Sequence, residues 1–465
     1  MSEMHSMKVI VKTFGCQMNA YDTEVASGLL KHQGYDVIHE HEGDENPIPL
    51  GQNEKGPEWY KPNADVVIMN TCSVREHAED RVYSRLGMLN IAKKTNPDLI
   101  VGLMGCMVEE HRERLFKRFP QIDLMVGTRN IRELPDLIDQ VRNRRTQVSS
   151  IKQDGISIEY TDQIQRVGKY HAWLPVMTGC NKVCTFCIVP ITRGSEVSMK
   201  ARDVYREAVR LVDQGVQWIT LLGQNVNSYH GEEEGREQVH FAELLNTLAQ
   251  VEGLHRISFT TSHPHDATED LYDVIQKNPK ISRRFHLPLQ SGSNAVLKRM
   301  KRLHTYEEYR EKIEKMRSMI PDVAITTDII SGFSGETEKD HEATARALEE
   351  IRYDGAYIYK YSVRPATPAA KLPDDVSLLV KEERNRELLK IQKKITSEVN
   401  QSWVGRTTNA FFELDRLQNR GQIIGRTDQE KRVAVQGTTE LLGNFKKVRL
   451  DELKNETFLA TILPS

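Results

Sequence analysis

Three cysteines stand within eight residues, Cys180-Asn-Lys-Val-Cys184-Thr-Phe-Cys187. Thiolates are soft and anionic, the ligand type that iron–sulfur clusters take. Three on one loop, spaced by three and then two residues, can wrap one cluster from one side. Such clusters usually take four protein ligands, so three leave one iron open to a small molecule. The other readings are a zinc site short of its fourth ligand, or surface thiols. His171 could complete a zinc set, although its spacing fits none of the usual zinc motifs.

The remaining cysteines, Cys16, Cys72 and Cys106, lie 56 and 34 residues apart, and spacing alone says little. Their positions say more. MKVIVKTF (7–14), ADVVIMN (64–70) and LIVGLMG (99–105) are short apolar runs. Helical stretches follow them at about 22–33, 75–94 and 109–119. Strands alternating with helices predict a parallel, doubly wound sheet. Each cysteine then falls just past the end of a strand, and such positions converge on one crevice. The expectation is a second three-cysteine cluster, again with one iron open. Three unrelated buried thiols are the alternative, a common state for cysteine.

Further elements follow. The polar, Gly- and Pro-rich stretch 39–62 reads as a surface insertion, and the basic run RNRR (142–145) as a linker. From about Arg166 to Tyr361, strands are expected at 174–179, 217–223, 256–262, 285–291, 323–330 and 355–362, with helices between most of them. Six such units suggest a complete or partial parallel barrel. A charged helix at about 378–399 leads to short alternating runs (404–463), the pattern of a small antiparallel β barrel. The fold class is therefore α/β with a closing β barrel.

A length of 465 residues, at ~150 per domain, suggests about three domains. A chain of this size buries enough surface to fold without disulfides. Lys plus Arg is 64 against 66 for Asp plus Glu, a formal charge of −2. That excludes a histone-like cationic wrapper, so any nucleic-acid contact must use local patches. No apolar run approaches the ~18 residues of a membrane span. Met1 to Val11 has no signal-peptide character, and a cytoplasmic location is expected. In a reducing compartment six clustered cysteines point to metal or redox chemistry.

The loop CxxxCxxC with Phe186 before its last cysteine resembles the signature of radical S-adenosylmethionine enzymes. Thr13-Phe14-Gly15-Cys16-Gln17-Met18-Asn19, Asn70-Thr71-Cys72-Ser73-Val74-Arg75 and Gly105-Cys106-Met107 resemble the N-terminal motifs of its methylthiotransferase family. Gly179-Cys180-Asn181, Thr192-Arg193-Gly194 and His286-Leu287-Pro288-Leu289-Gln290-Ser291-Gly292 are similar to the same family, and the closing segment to its TRAM domain. Leu221 to Tyr229 and Thr261-Ser262-His263-Pro264 look like the bacterial branch acting on prenylated adenosine in tRNA. Other branches act on threonylcarbamoyladenosine in tRNA or on a ribosomal-protein aspartate. The chain departs from the usual pattern at Val108-Glu109, Met199-Lys200, Ser331 and Ser334, none of them a cysteine.

The resemblance implies an N-terminal domain at 7–145 with an auxiliary cluster on Cys16, Cys72 and Cys106. It implies a radical core at 160–399 with a cluster on Cys180, Cys184 and Cys187, and a TRAM domain at 401–463. Both clusters would be 4Fe–4S. Two S-adenosylmethionine molecules are implied per turnover. One methylates a sulfur at the auxiliary cluster, and the other yields the radical that attacks carbon 2 of adenine. Gly223, Gln224 and Asn225, after the second barrel strand, would contact S-adenosylmethionine. No general acid or base is assignable. The implied partners are a tRNA anticodon stem-loop with a prenylated adenosine and an electron donor such as flavodoxin or ferredoxin. No membrane is involved, and a monomer is expected.

Residues 401–465 hold ten Lys/Arg against eight Asp/Glu, with Lys446, Lys447 and Arg449 together. A second basic group is Arg283, Arg284, Lys298, Arg299, Lys301 and Arg302. Either could meet phosphates, or simply be a solvated face. Phe411 and Phe412 could stack on bases, or fill the barrel. An iron–sulfur electron carrier or a non-catalytic RNA-binding protein would be the competing classes. The first needs no barrel or RNA-type domain, and the second needs no clustered cysteines.

Overall fold

The stretches Val66–Thr71 and Ile100–Gly105 are buried at every position, as strands of a sheet covered on both faces must be. β1 (Lys8–Phe14), β2 (Asp36–Glu42), β3 (Val66–Thr71), β4 (Ile100–Gly105), β5 (Leu124–Val126) and β6 (Val148–Ser150) form one parallel sheet, ordered β2-β1-β3-β4-β5-β6. The helices are α1 (Gln17–His32), α2 (Glu76–Thr95), α3 (Cys106–His111), α4 (Arg114–Arg118) and α5 (Leu134–Arg144). Val66 and Ile68 of β3 pack on one face with Ala26, Leu30 and Ile138. Val67 and Met69 pack on the other with Val82, Leu86 and Leu89. This is the doubly wound sheet expected from the sequence. The coordinates are a computed structural model that describes residues 6–42, 62–73, 76–151, 158, 160–161, 163–233, 236–417 and 421–464.

Local differences have physical causes. α1 begins at Gln17 rather than near Asp22, because Asn19 reaches back to accept the Cys16 N–H at 3.4 Å and starts the helix there. The stretch expected as one helix at 109–119 is two, α3 and α4, broken at Arg112, whose φ is +47°. RNRR is not a linker: Arg142 and Arg144 form the last turn of α5, and Arg145 caps it in a left-handed conformation. Leu134, Leu137, Ile138 and Val141 give α5 a buried stripe, so the charges belong to its outer face. Of the insertion at 39–62, the first residues extend β2 to Glu42, and 43–61 lie outside the described residues.

The chain forms two compact units. The first holds the sheet together with Met177–Asn181 and Cys187–Val197, which include β8 (Met177–Thr178) and α6 (Val189–Thr192). The second holds β7 (His171–Pro175) and, after the short β9 (Val197–Ser198), the rest of the chain. Its elements run α7 (Ala201–Asp213), β10 (Trp218–Leu222), β11 (His230–Glu233), β12 (Arg236–His240), α8 (Phe241–Ala249), β13 (Arg256–Phe259) and α9 (Glu269–Lys277). They continue with β14 (Arg284–His286), α10 (Asn294–Arg299), α11 (Tyr306–Met319), β15 (Ala324–Ser331), α12 (Glu338–Ile351), β16 (Gly355–Lys360) and α13 (Leu378–Gln401). β7, β10 and β13 pair in parallel, as do β14, β15 and β16, and Ile257 of β13 makes an isolated parallel bridge to Ile281, three residues ahead of β14. Six parallel strands with helices between them make a partial barrel. Leu174-Pro175 ends β7, so the first strand lies three residues earlier than the LPVMTG reading placed it.

β17 (Thr407–Leu417), β18 (Gln422–Thr427), β19 (Arg432–Gln436), β20 (Phe445–Lys454) and β21 (Thr457–Ile462) close a five-stranded barrel, also within the second unit. Its core holds Phe412, Val433, Val448, Leu450 and Phe458. Arg256, itself buried, ties this barrel to the parallel strands. It bonds Asp428 Oδ1 at 2.7 Å and the Arg426 carbonyl at 3.0 Å, and lies over the rings of Trp218 and Phe445. Phe411 packs edge-on to Trp218. Phe411 and Phe412 are fully buried, so neither stacks on a base.

Candidate functional site

In the first sheet Phe14, Thr71 and Gly105 lie in one row across β1, β3 and β4. Cys16 stands two residues past that row, and Cys72 and Cys106 one past it. Adjacent strands are ~4.8 Å apart, so the three thiols gather at one sheet end. Their backbone needs glycine twice. Gly105 has φ +99°, and a Cβ there would sit 2.5 Å from the Thr71 carbonyl oxygen. A Cβ on Gly15 would sit 2.5 Å from the Cys72 Cβ. Both glycines allow the close approach that brings the thiols together.

A buried amide clasp holds the loops. Asn19 donates to Asn70 Oδ1 at 3.0 Å and to the Thr71 carbonyl at 3.2 Å. Asn70 donates to the Asn19 carbonyl at 2.7 Å and to Thr23 Oγ1 at 2.9 Å. The Cys16 thiol bonds Asn19 Oδ1 at 3.3 Å. A hydrogen bond with Cys72 brings the Cys16 thiol down to about 6, against its burial and with help from the Arg193 charge. Burial pushes the Cys106 thiol up, and Arg193 opposes it.

Arg193 was legible as part of a motif but carried no role. In the structure it is buried beside these thiols, and its Nη2 pairs with Asp22 at 2.6 Å, both side chains 3% exposed. Its backbone carbonyl accepts from Arg129 at 2.9 Å. Its Nη1 is buried without a hydrogen-bond acceptor. A buried cation with an unmet N–H next to three thiols fits an anionic, thiolate-bound cluster. All six cysteines are thiols, none joined in a disulfide.

The second set lies on the loop after β8. The Cys180 N–H donates to the Gly194 carbonyl at 3.2 Å. Within the second unit, Arg302 donates to Cys184 Sγ at 3.2 Å, and Thr185 donates through its hydroxyl to the Arg299 carbonyl at 3.0 Å. Three thiols on one loop, one of them facing a buried cation, also suit a cluster. His171 is not a ligand partner: its Nε2 bonds Thr220 Oγ1 at 2.8 Å inside the sheet, between Trp173 and Trp218.

Gly223, Gln224 and Asn225 follow β10 as expected, and Asn225 is buried. Its Nδ2 donates to Asp266 Oδ2 at 2.7 Å, and its Oδ1 is buried without a donor. Lys182 bonds the other Asp266 oxygen at 2.8 Å. Despite burial, hydrogen bonds from His265, Lys182 and Asn225 hold the Asp266 carboxyl below its usual range. His263 accepts the His265 N–H at 3.1 Å on Nδ1, and its Nε2 is buried without a partner. Burial, then Arg302 and His304, keep this ring neutral. Unmet polar atoms on Asn225 and His263, beyond the carboxyl ends of barrel strands, fit a polar small molecule.

The expected basic group at 283–302 is not one patch. Arg284 pairs with Glu430 at 3.0 Å, and Arg299 donates to the Ser334 and Gly335 carbonyls. Arg302 is buried. On the closing barrel, Lys447 and Arg449 are exposed, and Arg449 pairs with Asp451.

A model of the radical SAM superfamily matches residues 174–348, and one described as Uncharacterized protein family UPF0004 matches 8–46 and 52–127. The radical S-adenosylmethionine methyltransferase TsrM of Kitasatospora setae has a similar fold, with TM-score 0.53 and 14% identity over 78% of this chain and 75% of that one. Fold and cysteine loop together define a radical S-adenosylmethionine enzyme. Similar over nearly the whole length are the tRNA-2-methylthio-N(6)-dimethylallyladenosine synthases of Carboxydothermus hydrogenoformans, 40% identical over 95% of this chain and 96% of that protein, and of Clostridium botulinum, 39% identical over 97% and 95%. The chain belongs to their family, the radical S-adenosylmethionine methylthiotransferases. No helix among the described residues is long and apolar enough to cross a membrane.

Proposed function

We propose that this protein methylthiolates carbon 2 of N6-isopentenyladenosine beside the anticodon in tRNA. The observation that carries this reading is the gathering of Cys16, Cys72 and Cys106 at one sheet end, in a chain with a second three-thiol loop. Bound there, two 4Fe–4S clusters and S-adenosylmethionine would supply a carbon-centred radical and a methylated sulfur, since the carbon 2 C–H bond yields to no ordinary base.

The chain's own residues prepare that chemistry. Cys16, Cys72 and Cys106 would hold one cluster, and Cys180, Cys184 and Cys187 the other. Arg193, locked by Asp22, favours thiolate at Cys16 and Cys106. The Asn19–Asn70 clasp fixes the distance between the Cys16 and Cys72 loops. Buried Cys72 and Cys106 keep bulk water from that centre. Asn225, with Gly223 and Gln224, would orient S-adenosylmethionine from the end of β10. Lys446, Lys447 and Arg449 would meet tRNA phosphates. In this reading the working parts are 7–145, 160–399 and 401–463. The enzyme acts as a cytoplasmic monomer and draws electrons from a flavodoxin or ferredoxin.

Two triple variants test the reading by anaerobic reconstitution. Roughly eight irons are expected per parent chain, four for each cube. Changing Cys180, Cys184 and Cys187 to Ala should halve the iron and abolish 5′-deoxyadenosine formation. Changing Cys16, Cys72 and Cys106 should spare that cleavage and abolish methylthio transfer. Mass spectrometry of tRNA nucleosides from a strain lacking the protein tests the substrate. Methylthiolated tRNA from the second variant would overturn the assignment of the strand-end cysteines.

A further inference from the structure

Arg302 belongs by sequence to a basic run, yet only 5% of it is exposed. Its Nη1 donates to Cys184 Sγ at 3.2 Å and its Nη2 to the Pro288 carbonyl at 3.0 Å. Among the described residues no carboxylate pairs with it. A buried guanidinium without a counter-charge is costly. Arg193, by contrast, has Asp22. The anion that Arg302 lacks must come from what it touches, which is the sulfur.

The backbone around it is unusual in the same direction. Lys301 and Leu303, on either side, have φ of +53° and +52°. L residues seldom adopt that region, and two flanking one side chain mark a conformation imposed by its surroundings. The surroundings are the cysteine loop. Thr185 donates through its N–H to the Met300 carbonyl at 3.0 Å and through its hydroxyl to the Arg299 carbonyl at 3.0 Å. The turn is thus docked on the residue next to Cys184, and the strain aims Arg302 at the thiol.

We propose that Arg302 is a positioning residue that sets the reduction potential of the cluster on Cys180, Cys184 and Cys187. The proposal rests on the reading that these three cysteines hold a cluster. A reduced cluster carries one more negative charge than an oxidised one. A fixed cation donating N–H to a ligand sulfur stabilises the reduced state more, and raises the potential. Arg302 would thereby make the one-electron reduction, which precedes cofactor cleavage, easier for the donor.

The test uses full-length protein in which Cys16, Cys72 and Cys106 are Ala, so that one cluster remains. Arg302→Lys, Arg302→Gln and Arg302→Met are reconstituted beside this parent. Iron is counted, and the reduced fraction is read by electron paramagnetic resonance at fixed solution potentials. The Met variant should show at least a tenfold lower ratio of reduced to oxidised cluster, equivalent to ~59 mV for one electron. Gln should fall between, and Lys should restore most of the difference. Unchanged ratios in the Gln and Met variants at full iron would overturn the proposal. Iron lost from all three variants, Lys included, also overturns it, because Arg302 would then only build the loop. A parent that binds no iron would instead refute the cluster reading.

Discussion

Asp22→Asn should destabilise the first unit severely. The Asp22–Arg193 pair is 2.6 Å long with 3% exposure on each side, so solvent screens it little. Removing one partner of such a pair leaves a buried charge uncompensated, at about 3–5 kcal/mol. For a unit of this size each kcal/mol moves the midpoint by about 2–4 °C, giving a fall of ~6–20 °C. A two-unit chain need not melt in one step, so the units must be read separately. Hydrogen exchange at the β3 and β4 amides reports the first unit in reduced apo-protein. In a Trp59→Phe background, fluorescence of Trp173, Trp218 and Trp403 reports the second, and should not move. Replacing both partners by apolar residues, Asp22→Leu with Arg193→Met, should recover most of the loss, because neither charge is then stranded. A single-variant cost below ~1 kcal/mol, or a double variant as unstable as the sum of the singles, would refute the buried-pair reasoning.

Gly105→Ala should cost about 1–3 kcal/mol and about half the bound iron, since its Cβ would strike the Thr71 carbonyl beside Cys72 and Cys106; thermal shift and iron counting check it. Burial pushes the Glu24 carboxyl up to about 7, outweighing the Val167 N–H that it accepts. The protonated form is therefore the one the fold favours: its contribution is complete below 4.5 and lost as pH rises through 7, a fall of ~3 kcal/mol. Glu24→Gln should flatten that decline, seen as urea midpoints at pH 4.5 and 8 that differ less than in the parent. Changing Lys446, Lys447 and Arg449 to Glu should weaken tRNA binding. It should flatten the salt dependence by about two slope units rather than three, because Arg449 already pairs with Asp451. Equal slopes in titrations at three salt concentrations would give the closing barrel a structural role only.

Much of the architecture was legible because hydrophobic period and strand length are local properties. The apolar centres of the runs at 64–70 and 99–105, Val66–Met69 and Ile100–Met104, marked two-sided strands, and their ends located Cys72 and Cys106. What stayed hidden depended on contacts distant in sequence. β5 and β6 have three residues each, too short to leave a pattern. RNRR showed its charge but not the buried stripe of α5 one turn earlier. Arg193 stood in a motif and Arg302 in a basic run, and neither showed its burial, because charge in a sequence carries no sign of it. A faint trace existed for Arg302: the Lys301-Arg302 pair lies between Met300 and Leu303 just past a short helix. For Phe411 and Phe412 the alternation of the strand could not say whether the outer face met solvent or, as Trp218 shows for Phe411, another part of the chain.

The Asp22–Arg193 contact spans 171 residues of chain. At a synthesis rate of ~5–20 residues per second, Asp22 leaves the ribosome roughly 10–30 s before its partner does. For roughly the last 2–9 s of that interval, once residue 150 has emerged, Cys16, Cys72 and Cys106 lie in a sheet whose strands are complete but whose central cation has not arrived. Closing so long a loop costs on the order of 4–5 kcal/mol of chain entropy, which the nascent sheet cannot recover until residues 187–197 dock. The stretch that carries Cys187 is the same stretch that brings Arg193. During biogenesis the strand-end thiols therefore acquire their final electrostatic setting only after all six cysteines have been made, so the two sets come of age together.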